Sequence, residues 1–384
     1  MIYLDHNATN LVDPRLRAAY LRGLEEGWAN PSSPHGPGRR ARALVEESRE
    51  RVAAVCGVAP AQVTFCASGS EALNQALQSA APGHSGRGLW RGRPARVVAS
   101  AVEHPAVLTP LRARPELELA LCPVSAAGQL DLAAWEALLA GGAALAALIA
   151  AQNEVGTLQP VSEAGAACAA RGVPLLLDAV QALGRVAWDW PALPWDYLVL
   201  SGHKLRAPRG AAALVHRGRA PEPRPLILGG GQELGRRAGT EHVAAIVALG
   251  AACELLARGA LFEPDALRAR REAFEAALLE RVPGAEVMAR AAERLPQTTM
   301  LLVPGADAEA LLVALDLLGV AASTGSACSS GALTASHVLT AMGVSPERAR
   351  GRLRLSFGPE TSPEELLRAA EAVAQAARAS RNGE

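Results

Sequence analysis

Two periodicities share this chain. Between residues 62 and 216, short apolar runs of strand length recur at 62–66, 95–100, 117–122, 144–151, 173–177, 197–201 and 211–216. Segments with helical spacing near 105–113, 131–140 and 160–171 separate several of them. Such alternation predicts a largely parallel sheet with helices on both faces. Ahead of it, 1–13 reads as a short strand and a polar turn, and 14–27 as a helix opened by proline. A turn-rich loop at 30–37 leads into a long helix from about 39 to 56. Two long Ala/Leu/Arg/Glu helices, 241–258 and 263–281, then mark a boundary. Beyond them the pattern is α+β: strand 297–303, helix 307–318, a small-residue loop 321–331, helix 333–342, strand 352–357 and helix 363–378. The expected architecture is α/β, with residues 15–260 as a large domain. Residues 1–14 and 261–384 form a smaller one.

Composition narrows the function classes. Half of the 384 residues are hydrophobic and only 3% aromatic, so the core must be mostly Ala, Leu and Val. Formal net charge is zero and no basic arm stands out, which argues against nucleic acid as the main partner. The arginines between 87 and 96 lie among glycines and read as a solvated loop. The first residues lack the pattern of a signal peptide, and the longest glycine-free apolar stretch, 143–151, is too short to span a bilayer. The six cysteines (56, 66, 122, 168, 253 and 328) form no CxxC pair. Reduced thiols in a cytoplasmic enzyme are expected.

Polar residues cluster just past the predicted strand ends: Glu103-His104, Gln152-Asn153-Glu154, Asp178 with Gln181, and Ser201 to Lys204. Open α/β sheets bind ligands there. Of 38 Lys+Arg residues, Lys204 alone is a lysine. A chain with a strong arginine bias can keep one lysine by chance, but this one follows the apolar run Trp195-Asp-Tyr-Leu-Val-Leu-Ser201. A deprotonated lysine amine can attack a carbonyl, which arginine cannot. Lys204 is therefore a candidate anchor for pyridoxal phosphate. Asp178 emerges from an apolar strand end, where a lone carboxylate is costly, and suits the pyridinium nitrogen; a helix cap is the plainer alternative. Gln181 is placed to reach the ring hydroxyl. His104 suits a place over the ring or in proton transfer, although a lone histidine is usually structural. Strand 62–66 passes through Ala67-Ser-Gly-Ser70 into a helix, a phosphate-binding geometry in which Gly69, Ser70, Ser201 and His203 supply donors. That turn has neither the P-loop signature nor GxGxxG.

Cys328 lies in Ser323-Thr-Gly-Ser-Ala-Cys-Ser-Ser-Gly331, with no large side chain to bury a thiol. Small neighbours suit a nucleophile that must travel. The other cysteines fall in apolar elements and read as small core residues. Arg354, on the alternating strand Arg352-Leu-Arg-Leu-Ser356, could fork onto a substrate carboxylate or simply be solvated.

Together with Tyr3-Leu-Asp-His-Asn-Ala-Thr9, Asn30-Pro-Ser-Ser with His35, Asn153-Glu154-Val-Gly156, Gly229-Gly-Gly, Ala238-Gly-Thr240 and Gly325-Ser-Ala-Cys328, these motifs run nearly end to end. Jointly they are specific. The chain resembles the cysteine desulfurases of the class V aminotransferase family, in the group with the longer mobile cysteine loop. The resemblance implies a pyridoxal-phosphate transferase of fold type I that converts L-cysteine to L-alanine. Sulfur would pass to Cys328 as a persulfide and on to an acceptor protein, an iron–sulfur scaffold or a sulfur carrier. It also implies a homodimer in which Thr240 reaches the other subunit's phosphate, and a role for Asn153 in seating substrate. No resident metal is expected, although Cys328 could touch an iron–sulfur cluster in transit. Selenocysteine lyase, another class V enzyme and an inactive docking scaffold are the alternatives. The sequence departs from the family pattern at Ser70, at Asn10-Leu11, at Leu228 and at Leu234, where Thr, Thr-Pro, His and Arg are usual.

Overall fold

The structure is a computed structural model that describes residues 1–80, 95–325 and 336–381. In chain order its elements are β1 (Ile2–Tyr3), α1 (Pro14–Glu26), α2 (Gly36–Cys56), β2 (Val63–Cys66), α3 (Gly69–Ala80), β3 (Ala95–Ser100), α4 (Pro105–Arg112) and β4 (Leu117–Cys122). There follow α5 (Leu132–Ala140), β5 (Leu145–Ile149), α6 (Val161–Ala170), β6 (Leu175–Asp178), β7 (Tyr197–Ser201), β8 (Ala212–His216), α7 (Val243–Ala257) and α8 (Pro264–Arg281). The last are β9 (Glu286–Val287), β10 (Thr298–Leu302), α9 (Ala308–Leu317), β11 (Val320–Ala321), α10 (His337–Ala341), α11 (Pro346–Ala349), β12 (Arg352–Ser356) and α12 (Pro363–Arg381).

A seven-stranded sheet in the order β2-β8-β7-β6-β5-β3-β4 forms the centre. From β7 to β4 the neighbours are parallel, and β8 is antiparallel to both β7 and β2. The connection from β7 to β8 explains that reversal, being too short for the crossover that a parallel pair needs. β5, β6 and β7 are buried at every position, as expected of strands covered on both faces. On one face α1 and α2 pack on α7. A Cβ on Gly250 of α7 would lie 2.7 Å from the Ser48 Cα, so only glycine permits that helix approach.

Local chemistry sets the helix ends. Asp13, Asp131, Asp307 and Ser345 accept from the first-turn N–H groups of α1, α5, α9 and α11. These bonds satisfy donors that no helix can pair internally.

Beyond α8, β12, β10 and β9 form an antiparallel sheet. The chain start joins this part: β1 pairs in parallel with β11, and Asp5 bridges to Ser356. Residues 5–10 then run from the smaller sheet to the end of β7, where the Asn10 Nδ2 donates to the carbonyls of His203 and Lys204. β1, β9, β11 and α11 are two to four residues long, too short to show a period in the sequence. The expected helix 333–342 appears as α10 over its described part, with Ser336 as its cap. Among the described residues, no helix is long and apolar enough to cross a membrane.

Candidate active site

The carboxyl ends of β3, β5, β6 and β7 and the start of α3 open on one cavity of about 280 Å³. Its lining includes Gly69, Ser70, His104, Asn153, Asp178, Gln181, Ser201, His203, Lys204 and Arg354, all of them singled out from the sequence. Thr240 is not among them. It is exposed and lines a separate pocket with Cys66, Arg237 and His242. Cys328 lies outside the described residues.

Lys204 sits in the 3₁₀ turn after β7, and its Nζ donates to the carbonyls of Asn7 and Ala8. Burial is the main force pushing this amine down to about 7, helped by Arg185 and Arg354 against the pull of Asp5 and Asp178. An amine there is substantially neutral at physiological pH. Asp178, the last residue of β6, accepts from the Val180 N–H at 3.0 Å. Burial pushes its carboxyl up to about 6, against that bond and the Lys204 charge, so it is largely ionised at pH 7.

His104 has a structural role and a place at the cavity. Its Nδ1 accepts from the Ala106 N–H at 3.0 Å and caps α4, and its ring lines the cavity. Burial, then the charges of Lys204 and His337, pulls it down to about 4. The ring is thus neutral at pH 7 with its proton on Nε2. His203 is held down at about 3, first by burial, and its Nδ1 meets the Thr9 hydroxyl at 3.1 Å. Neither imidazole is a ready acid near neutrality.

At the N-terminus of α3, a Cβ on Gly69 would sit 3.3 Å from Val180 and 3.6 Å from Ser201. A side chain there would press on Val180 and only touch Ser201, and the first N–H groups of α3, like those of any helix start, have no partner within the helix and can serve an anion. On the opposite side Arg354 is only 2% exposed, not solvated. It pairs with Asp5 at 2.6 Å and donates to the carbonyls of Asn153 and Gly325, while among the described residues its buried Nε has no partner.

Some contributors carried no role in the sequence reading. Asn7 and Ala8 lay inside the 3–9 motif, where only the resemblance hinted at them. Glu103 is fully buried, accepts from the Ser100 hydroxyl and the Ile149 N–H, and has its carboxyl raised by burial to about 8. Arg185, four residues after Gln181, was overlooked altogether; the i,i+4 spacing was its only signal.

A sequence profile described as aminotransferase class-V matches residues 2–368. The chain belongs to this family. It is 38% identical to a protein named cysteine desulfurase from Trichormus azollae, over 97% of this chain and 92% of that one. It is 36% identical to the cysteine desulfurase NifS of Azotobacter vinelandii, over 96% and 90% of the two chains. The X-ray structure of a NifS-like protein from Rickettsia africae superposes with a TM-score of 0.86 at 31% identity, covering 98% of this chain and 99% of that one. The likeness extends through both sheets.

Proposed function

We propose that this chain is a cysteine desulfurase that converts L-cysteine to L-alanine and takes the sulfur onto its own Cys328. The observation that carries the reading is Lys204. The sole lysine of the chain is held near neutrality in the cavity that also holds Asp178 and Arg354.

The cofactor we infer is pyridoxal 5′-phosphate, and the residues fit it. The Gly69 turn is a cradle that a Cβ would crowd, Asp178 is a buried acid that needs a cation, and Lys204 is a nucleophilic amine. When bound, the group supplies an electron sink for the substrate's carbon skeleton. Lys204 Nζ would hold the cofactor's aldehyde and is the base placed to take the proton from the substrate Cα. Asp178 holds the proton of the ring nitrogen, and the Val180 N–H keeps its carboxylate oriented. Gly69, Ser70, Ser201 and His203 bind the phosphate, and Gln181 meets the ring hydroxyl. His104 covers the ring face as a neutral imidazole. Arg354 and Asn153 seat the substrate carboxylate, for which the Arg354 Nε, without a partner among the described residues, is available.

The sulfur step belongs to Cys328. Its thiolate attacks the substrate sulfur, forming an S–S bond as the Cβ–S bond breaks. The electron pair stays with carbon, which takes up a proton as the methyl group of alanine. Five other cysteines are buried and free. Burial pushes Cys56, Cys122 and Cys168 up to about 12, and Cys66 and Cys253 higher still, so none is a ready thiolate. The persulfide then passes to an acceptor protein, in keeping with a cytoplasmic enzyme of iron–sulfur biosynthesis.

We also read the enzyme as a homodimer. Thr240 is exposed away from its own cavity, and Ile227, Leu228 and Leu234 leave apolar surface on the same segment. This arrangement suits a loop that completes the partner's phosphate site. The division into 15–260 and 1–14 with 261–384 is supported by the pairing of β1 with β11.

Purified protein with pyridoxal phosphate, L-cysteine and a thiol reductant should release sulfide and alanine in equal amounts. Alanine release from selenocysteine with none from cysteine would replace this reading with a selenocysteine lyase.

A further inference from the structure

Arg185 follows β6 in a tight turn and is only 1% exposed. Its Nη1 donates to the Gln181 carbonyl at 3.0 Å and to Gln181 Oε1 at 2.9 Å; its Nη2 donates to the Lys204 carbonyl at 2.9 Å. Its Cζ lies 5.3 Å from the centroid of the Phe262 ring. Among the described residues no carboxylate pairs with it. A buried guanidinium without a counter-ion is costly, and folded chains rarely keep one without a use. Burial alone pulls even this group down to about 9.

We propose that Arg185 is a positioning residue of the active site, an unpaired cation one layer behind the cavity that fixes the Gln181 amide and disfavours a second positive charge on Lys204. The geometry of the amide is decisive. Guanidinium offers only donors, so the Gln181 atom facing it must be oxygen. The nitrogen faces the Asn7 carbonyl at 2.9 Å, which only accepts. Neither contact survives a flip, so the amide has one orientation.

The same Asn7 carbonyl and that of Ala8 accept from Lys204 Nζ, an arrangement that welcomes an ammonium. Burial opposes it first, and the surrounding charges add to or subtract from that. Four charged groups act on Lys204. Arg354 on β12 and Arg185 behind β6 repel its proton, while Asp5 and Asp178 attract it. Arg354 is paired with Asp5. Asp178 remains, and Arg185 is the cation with no partner to cancel its field.

The inference takes its meaning from the proposed function, but its test does not depend on it. Lys204 is the only lysine, so an amine reagent reports on one side chain, with the Met1 α-amine as internal reference. The full chain, stripped of any bound aldehyde, is pulsed with acetic anhydride across pH 5.5 to 10 and acetylation is read by peptide mass spectrometry. In the wild type, Lys204 acetylation should have its midpoint near 7. In Arg185→Met the midpoint should rise by about one pH unit or more, with Met1 unmoved.

A folded Arg185→Met with an unchanged Lys204 midpoint would overturn the proposal, since burial alone would then hold the amine. If that variant loses the wild-type circular dichroism spectrum, Arg185→Gln takes its place with the same expected rise. Should neither fold, Arg185→Ala takes their place with the same expected rise, and an unmoved midpoint overturns the proposal. Desulfurase activity is assayed separately, so an inactive chain with a low Lys204 midpoint would sink the proposed function and leave Arg185 its role.

Discussion

Asp5 and Arg354 form an ion pair at 2.6 Å across 349 residues of sequence. The pair holds a buried guanidinium at the cavity wall, where the proposed function has it meet the substrate carboxylate. Arg354→Lys keeps the charge and loses the planar fork. The lost charge-assisted hydrogen bond corresponds to about 1.5–3 kcal/mol, so the KM for cysteine should rise roughly tenfold or more. Bound cofactor, read from its visible absorbance, should be unchanged. A constant KM would place the carboxylate elsewhere.

Lys204 gives a prediction on stability with a defined sign. Its amine is lowered from 10.5 to about 7 in the folded chain, so the folded state resists its protonation. That penalty is absent above the unfolded value, grows as pH falls, and levels off below about 7. Lys204→Met removes it. In cofactor-free protein the Tm gain of Lys204→Met over wild type should therefore increase from pH 10 to pH 7 and stay flat below. Lys204→Arg should abolish both the cofactor's visible band and turnover.

Asp178→Asn keeps the shape of the side chain and removes its charge. Loss of a preorganised charge in a dry site costs about 3 kcal/mol, or roughly a hundredfold in kcat. Melting at pH 7 should shift upward, because burial raises this carboxyl from 3.8 to about 6 and its charge opposes the folded state. Unchanged turnover would reduce Asp178 to a turn former through its bond to Val180.

Cys328→Ser should bind cofactor and cysteine normally and release no sulfide. Peptide mass spectrometry of the wild type after brief exposure to cysteine without reductant should find one extra sulfur on the Cys328 peptide. Finding it on Cys66 would overturn the assignment, since that thiol is buried and donates to Gln75 Oε1 at 3.4 Å.

Most of the central sheet could be read from the chain because β5, β6 and β7 are apolar throughout and end in polar clusters. Strand-end logic then found Asp178 and Lys204 without any partner being known. What stayed hidden lacked a local signal. Arg354 was ambiguous because an alternating strand does not reveal which face is covered; here every position of β12 is buried and Asp5 pairs with Arg354. Arg185 stayed hidden because arginine in this chain is so common that another drew no notice. Only the surrounding burial makes it exceptional. Asn7 and Ala8 act through backbone carbonyls, which any sequence provides at every position.

The pairing of the chain start with its end carries a consequence for how the enzyme is made. Ile2 sits beside Val320, Asn7 donates from its backbone to the Ser356 hydroxyl, and its amide reaches Thr298 Oγ1 at 2.9 Å. The carbonyls that receive the Lys204 amine are therefore held by strands synthesised more than a hundred residues later. On the ribosome, Lys204 emerges long before its acceptors have anything to rest on. On the proposed reading, cofactor capture then waits for β12, and a product truncated before it should carry out no partial chemistry.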